Sequence, residues 1–355
     1  MRVAFVTERT AFAEPTAGRE RLRRVATNLA ARDHEVTVYC TRFWPGDAET
    51  FEHEGVTYRG VTVDSAHTSF LTRLPGLLAT ARPDVVHASP DPPGQVAAAK
   101  AGARMARAPL VVEWYGDEDL PEGRRTRYAV RTPALVVTPS ELVRTRVREL
   151  GAAEDATRVI PESIDFPLVE ETPPAEGDAA ADVVYARELD ADANVDSLLL
   201  ALAELRDRDW TATVIGEGPE REGYERQARD LRIDDRVTFA GDLDRAERVA
   251  RYRAAHTFVQ TASRVEFASE LLWALACGCV GIVEYQAASS AHELIETYER
   301  SFRVTDDEEL ADAIAEAGQF DRETVDDAFA EYDHDAVLER YLESYRDCIG
   351  ERGLL

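Results

Sequence analysis

The chain has 355 residues, with 41 Lys and Arg against 68 Asp and Glu and a formal net charge of −27. Its 45% hydrophobic content is that of a globular protein, its length suits two cores better than one, and no apolar run approaches the ~18 residues of a membrane span. A nucleic-acid partner needs positive charge along a groove, so none is expected here.

The start, Met1 to Glu8, turns charged too soon for a signal peptide and reads as a first core strand, which predicts a cytoplasmic location. Further strands are predicted at Val3–Thr7, Glu35–Cys40, Val85–His87, Leu110–Trp114, Ala134–Val137 and Thr157–Ile160. Helical patterns lie between them at Arg19–Ala31, Gln95–Ala106 and Ser140–Glu149. Most of the strands are continuous apolar runs, as expected where both faces of a parallel sheet are covered. The stretch Glu170–Asp178 is rich in Pro and charge and reads as a linker. Alternation restarts with strands at Val183–Tyr185, Thr211–Ile215, Val237–Ala240, Thr257–Gln260 and Val280–Glu284, each followed by a helix-compatible segment. The final amphipathic stretch, Ala336–Cys348, suits packing against either half.

The four cysteines, Cys40, Cys277, Cys279 and Cys348, have neither a disulfide framework's context nor a zinc site's spacing, and buried thiols are expected. Charge is unevenly placed. Through Asp165 there are 22 basic and 23 acidic residues, and beyond it 19 and 45. With Lys100 the one lysine, this is the composition of a protein kept soluble in a salty cytoplasm.

Four stretches carry candidate chemistry. Ile215-Gly-Glu-Gly-Pro219 follows a strand and precedes a helix, but its next glycine, Gly223, comes too late for a dinucleotide fingerprint. It reads equally as a tight turn or as a ligand-facing loop. The loop Glu8–Gly18 ends in a glycine at a helix start and reads either as a place where backbone approaches phosphate or as a flexible surface loop. Two arginine groups, Arg19, Arg21, Arg23 and Arg24, then Arg124, Arg125, Arg127 and Arg131, stand out in an acidic chain. Each is either a solvated helix face or a contact for anionic lipid or an acceptor phosphate. Last, Phe258–Gly278 runs from a strand through Ser263, Arg264, Glu266, Phe267 and Ala268 into a short apolar helix. Ser269 is its expected N-cap and Gly278 its expected stop. That places Glu266 beside free helix-start amides, a combination suited to sugar hydroxyls and phosphate oxygens.

In the order and spacing of its motifs the chain resembles the retaining glycosyltransferases of family 4, as a divergent acidic member. The likeness rests on Met1–Val6, Asp33–Val38, Pro83–His87, Val137–Ser140 and Arg158–Asp165, then on Gly216–Pro219, Val237–Gly241 and Glu266 leading into Ala274–Gly278. It implies a GT-B fold of class α/β: two Rossmann-like, doubly wound parallel-sheet domains facing each other across a cleft. Residues 1–166 would form the acceptor-side domain, 167–181 a linker and 182–355 the nucleotide-sugar domain, its last helix free to pack back on the first. The resemblance implies a nucleotide-diphosphate sugar as donor, a glycan or lipid-linked acceptor, and no metal or cofactor. Arg187 and Glu266 would be catalytic. Gly18, Gly216, Gly218, Phe239, Gly241, Ser263, Arg264, Phe267, Ala268 and Glu270 would surround the donor, with His87 and Tyr115 on the acceptor side.

The chain departs from the family pattern at four places. The family's second glutamate falls on Trp273 and its lysine near Ala193, the paired first-loop glycines are Ala17-Gly18, and the histidine after the Leu110–Trp114 strand is Tyr115. Glu270 and Arg264 are the expected replacements for the glutamate and for part of the phosphate charge. A transferase is therefore the first expectation, a GT-B protein without turnover serving as partner or scaffold the second, and a nicotinamide-dependent oxidoreductase or sugar epimerase the third.

Overall fold

The computed structural model describes residues 1–63, 66–118, 120–121 and 123–353. The chain divides into two compact units, Met1–Glu162 with Asp335 onward, and Ser163–His334.

The first unit is built on an eight-stranded sheet in the order β3-β4-β2-β1-β5-β6-β7-β8. The strands are β1 (Arg2–Val6), β2 (Glu35–Arg42), β3 (Thr50–His53), β4 (Val56–Val63), β5 (Val85–Ala88), β6 (Leu110–Glu113), β7 (Leu135–Thr138) and β8 (Thr157–Val159). All pair in parallel except β3, which lies antiparallel to β4. The helices are α1 (Ala17–Ala31), α2 (His67–Ala81), α3 (Pro93–Ala106), α4 (Arg124–Arg131) and α5 (Glu141–Glu149). Central strands β5, β6 and β7 are buried throughout, which is why they read as unbroken apolar runs. The β3–β4 hairpin and α2 have no counterpart among the predicted elements. The hairpin turns at Glu54-Gly55, both in the left-handed region, and Pro75 and Gly76 inside α2 mask its periodicity. Burial of Phe70, Leu74 and Leu78 holds that helix regardless.

The C-terminal helix, His334–Gly353, joins the first unit from Asp335 onward. Val337, Leu338, Tyr341, Leu342 and Tyr345 form one stripe that packs with Phe5, Leu22, Val25 and Val111. The 182–355 range expected for the second domain thus ends at His334, because this stripe covers the α1 face of the first sheet.

The second unit carries a six-stranded, wholly parallel sheet in the order β11-β10-β9-β12-β14-β16. Its strands are β9 (Val183–Ala186), β10 (Ala212–Ile215), β11 (Val237–Gly241), β12 (Thr257–Gln260), β14 (Val280–Glu284) and β16 (Ser301–Val304), with a two-stranded pair of β13 (Arg264–Val265) and β15 (Ala288–Ser289). The helices are α6 (Phe166–Glu171), α7 (Val195–Glu204), α8 (Arg221–Leu231), α9 (Arg245–Ala254), α10 (Ser269–Ala276) and α11 (Asp307–Ala317). Strand β16 is absent from the predicted set. The expected 167–181 linker begins inside α6, where Asp165 caps the Leu168 N–H and Phe166 and Val169 are buried. Helix α10 ends at Gly278 as expected. Its N-cap is Ala268 instead of Ser269, whose N–H already bonds to the Phe267 carbonyl within the first turn.

Candidate functional site

In the second unit the carboxyl ends of β9, β10 and β12 bring several candidate residues together. The loop after β9 and the loop after β10 zip along each other: Arg187 N–H bonds to the Ile215 carbonyl, Leu189 N–H to Glu217, and Glu220 N–H to Leu189. Gly216 sits at φ +133°, and a Cβ there would stand 1.9 Å from the Arg187 carbonyl oxygen. Only glycine permits this approach. A Cβ on Gly218 would stand 2.3 Å from the Leu189 carbonyl oxygen, and Gly216 N–H bonds to the carbonyl of Gly241, the end of β11. These three glycines therefore hold the Arg187 loop in place. Phe239 packs on the unit's core, and its carbonyl accepts from Arg221.

Held by that loop, the Arg187 guanidinium donates to the Arg264 carbonyl at 3.2 Å and to both Asp190 oxygens at 3.2 and 3.3 Å. Arg264 Nε donates to Glu266 Oε1 at 3.0 Å. Ser263 bonds to Asp192 through its N–H and its hydroxyl, and Ser290 donates to the Glu266 carbonyl. Arg187, Arg264 and Glu266 thus form one contiguous polar strip, with the Phe267 and Ala268 side chains buried beneath the start of α10. Two guanidinium groups, each balanced by a nearby carboxylate, can exchange those partners for a more highly charged oxyanion.

In the first unit a cavity of about 200 Å³ is lined by Thr16, Gly18, Arg19, Asp91, Tyr115 and Asp117, with Glu113 and Glu118 also in its wall. Thr16 caps α1, yet the Gly18 N–H is already bonded to Asp117 Oδ2 at 2.9 Å. A Cβ on Gly18 would meet Asp117 and Tyr115 at 2.8 and 2.9 Å, so glycine here serves the close packing of the β6 loop on the helix start. Asp117 and Glu118 are not among the expected site residues, although two carboxylates just past a buried strand are a visible signal. Glu118 accepts from the Tyr115 and Gly116 N–H groups, but burial, with the Asp117 charge beside it, pushes its carboxyl up to about 8. Burial and neighbouring Glu162 likewise drive the Tyr115 phenol well above its ordinary range.

His87 does not face this cavity. It is fully buried, stacked on Phe5, bonded through Nδ1 to the Tyr345 hydroxyl at 2.5 Å, with Nε2 3.2 Å from Glu113 Oε2. Arg21 completes the cluster, donating to Glu113 at 2.7 Å and to the Tyr341 hydroxyl at 2.6 Å. Burial would raise the Glu113 carboxyl, yet Arg21 and His87 hold it below the ordinary range. The expectation of an acceptor-side histidine is corrected: His87 belongs to the network that fixes the C-terminal helix. The first arginine group is also engaged, Arg19 with Glu14 and Asp91, Arg21 with Glu113, Arg23 with Glu20 and Glu54, and Arg24 with Glu162. It is no free cationic face. On α4, by contrast, Arg124, Arg125, Arg127 and Arg131 are all exposed.

Two family models match the chain, a "glycosyl transferase 4-like domain" over residues 16–162 and "glycosyl transferases group 1" over residues 172–324. The chain carries the two domains of a GT-B glycosyltransferase. Its fold is similar to that of Alr3699/HepE from Anabaena in complex with UDP, at 17% identity and a TM-score of 0.74 over 98% of this chain and 100% of that one. A sucrose-phosphate synthase from Thermosynechococcus elongatus shares 17% identity at a TM-score of 0.72, over 99% and 100% of the two chains. A glycosyltransferase from Rickettsia africae shares 15% at 0.78, over 98% of each. No curated protein matches the chain in sequence.

Against this glycosyltransferase background the four departures acquire structures. Ala193, near where the resemblance expects the lysine, is buried, and its carbonyl accepts from Tyr185. Trp273, where it expects the second glutamate, is buried under the Arg245 guanidinium, 4.7 Å from the ring centroid. Glu270 does not substitute for that glutamate. Its Oε1 accepts from Arg245 at 3.1 Å and Arg248 at 3.0 Å, and its Oε2 from Arg245 at 2.9 Å and Tyr252 at 2.6 Å. Four donors occupy the carboxylate's lone pairs and leave none for a ribose. Burial would raise this carboxyl, and Arg245, Arg248 and Tyr252 together outweigh it and hold it low. Among the described residues no group of three or more His, Cys, Asp and Glu is placed to hold a metal ion, and no helix is long and apolar enough to cross a membrane.

Proposed function

We propose that the chain is a family 4-type, retaining glycosyltransferase that moves a hexose from a UDP- or GDP-sugar to a glycan or lipid-linked acceptor. The observation that carries this reading is the Arg187–Arg264–Glu266 strip at the carboxyl ends of β9 and β12, the end of a parallel sheet where ligands bind. Arg187 and Arg264 take the charge that develops on the departing diphosphate, so the reaction runs without a metal. Glu266 accepts from hydroxyls of the donor sugar. The acceptor hydroxyl attacks from the face the diphosphate leaves, within an oxocarbenium-like ion pair, and the leaving group takes the proton. No protein nucleophile is required. The bound UDP of the Anabaena protein supports a uridine donor.

The acceptor occupies the Gly18–Tyr115–Asp117 cavity, whose carboxylates suit sugar hydroxyls. Exposed Arg124, Arg125, Arg127 and Arg131 support peripheral contact with an anionic inner-membrane surface from the cytoplasmic side, each worth roughly 1 kcal/mol there. The test is a panel of UDP- and GDP-sugars, with binding and release of free diphosphate followed in high salt, with and without candidate acceptors. Acceptor-stimulated release that falls at least tenfold in Glu266→Gln and Arg187→Ala is the expected result. Donor binding with no release under any acceptor contradicts the reading.

A further inference from the structure

Elsewhere in the first unit, between β4 and α2, lies an open groove of about 650 Å³. It shares no lining residue with the Gly18 cavity. Three of its side chains are arginines, Arg42 from the end of β2, Arg59 from β4 and Arg73 from α2, against Glu49, the one carboxylate among the described lining residues. The β2–β4 register sets Arg59 opposite Tyr39 and Arg42 opposite Val63, so the first two cations are delivered by neighbouring strands.

In a chain of net charge −27, most arginines of the first unit's opening helix have carboxylate partners. These three have none: among the described residues no ion pair is formed by Arg42, Arg59 or Arg73. Arg73 reaches only the Val61 carbonyl, at a long 3.4 Å. The threonine Thr62, 6% exposed, lines the same wall with its hydroxyl unpartnered. Gly76 lies on the opposite wall, where a Cβ would touch nothing within 4 Å. Glycine inside a helix costs about 1 kcal/mol relative to alanine, and no packing against this position requires it. Three arginines against Glu49 leave the described lining net positive, and a planar guanidinium fork matches a tetrahedral oxyanion. The volume is that of an organic ligand pocket, larger than a bare ion needs, and Val63 and Leu77 give it an apolar side.

We propose that this groove binds a phosphate ester, its phosphoryl group held by Arg42, Arg59 and Arg73 and its organic body lying along Val63 and Leu77. The site belongs to the first unit, shares no residue with the donor strip and does not depend on the transferase reading.

The test is calorimetric titration of the full chain with a hexose phosphate, inorganic phosphate and sulfate at constant ionic strength, alongside UDP. Vesicles of anionic and of neutral phospholipid form a second arm. The expected result is one hexose phosphate per chain, bound more tightly than inorganic phosphate. Binding should weaken at least tenfold in Arg42→Gln/Arg73→Gln, with unchanged thermal stability and unchanged UDP affinity. Because Arg59 neighbours buried Tyr39, Arg59→Lys serves as the milder third variant and should also weaken binding. Capture by anionic vesicles alone, lost in the same variants, assigns the phosphate to a lipid headgroup. No binding of any of these probes up to about 10 mM, a threshold near 3 kcal/mol of binding free energy, overturns the proposal. Binding that the variants leave untouched does the same.

Discussion

Replacing Glu270 with glutamine separates an architectural carboxylate from a ribose-binding one. The substitution turns one oxygen into an amide NH2 that faces two donors, so two of the four bonds are lost and two guanidinium groups lose their counter-charge. A bond to a charged group is worth about 1.5–3 kcal/mol, and breaking a buried pair costs about 3–5. Arg245 remains 38% exposed, so water recovers part of that loss. The expected destabilisation is about 2–4 kcal/mol, a fall in Tm on the order of 10 °C for a unit of this size. Calorimetry and urea unfolding followed by tryptophan fluorescence measure it, with Trp273 under Arg245 as a local reporter. The Glu270 carboxyl is held below its ordinary value in the folded chain, so its contribution is present above the unfolded value and is lost as pH falls through the folded one. The gap between wild type and variant should therefore close in acid. UDP and GDP affinity should stay within about twofold, well under the 1.4 kcal/mol of a tenfold change. An unchanged Tm with nucleotide binding weakened tenfold would refute the architectural assignment.

Three other substitutions probe the scaffold around the sites. Gly216→Ala forces a Cβ onto the Arg187 carbonyl at a left-handed position, which costs on the order of 1–3 kcal/mol. Displacement of the Arg187 loop should weaken nucleotide binding, and an affinity equal to wild type by titration would contradict the loop's role. Glu118→Gln removes a carboxyl that the fold holds near 8, above its unfolded value. The penalty for ionising it grows as pH rises between those two values, so the variant should gain on wild type between about pH 5 and pH 8. A difference independent of pH in thermal melts would sink this account of Glu118. Tyr341→Phe removes the hydroxyl that joins Arg21 to Glu113, and should cost about 1–3 kcal/mol in chemical denaturation. A neutral result would show that the network does not anchor the C-terminal helix.

Much of the fold was readable because parallel strands buried on both faces leave unbroken apolar runs, as in Val85–Ala88 and Leu135–Thr138. What was missed has local causes. Pro75-Gly76 breaks the pattern of a helix whose three buried anchors decide the outcome, and the edge strand Thr50–His53 is only half covered. The site was harder to read. Motif order singles out Arg187 and Glu266, and Arg264 follows from its nearness to Glu266 in sequence; the structure brings the three into one strip. Nothing in the sequence around Glu270 announces that two arginines from α9 and the Tyr252 hydroxyl converge on it, since those partners lie 18 to 25 residues away. His87 misled for a related reason: it ends an apolar run where a ligand residue often stands, and its true partners, Glu113 and Tyr345, come from a neighbouring strand and the last helix.

The most direct trial of the account is the affinity of UDP and GDP for wild type and for Arg187→Ala, by calorimetry in high salt. Loss of one charge-assisted contact to a diphosphate, about 1.5–3 kcal/mol, predicts one-to-one binding that weakens roughly 10- to 150-fold with an unchanged Tm. Equal affinity in the two proteins would mean that the diphosphate does not rest against Arg187.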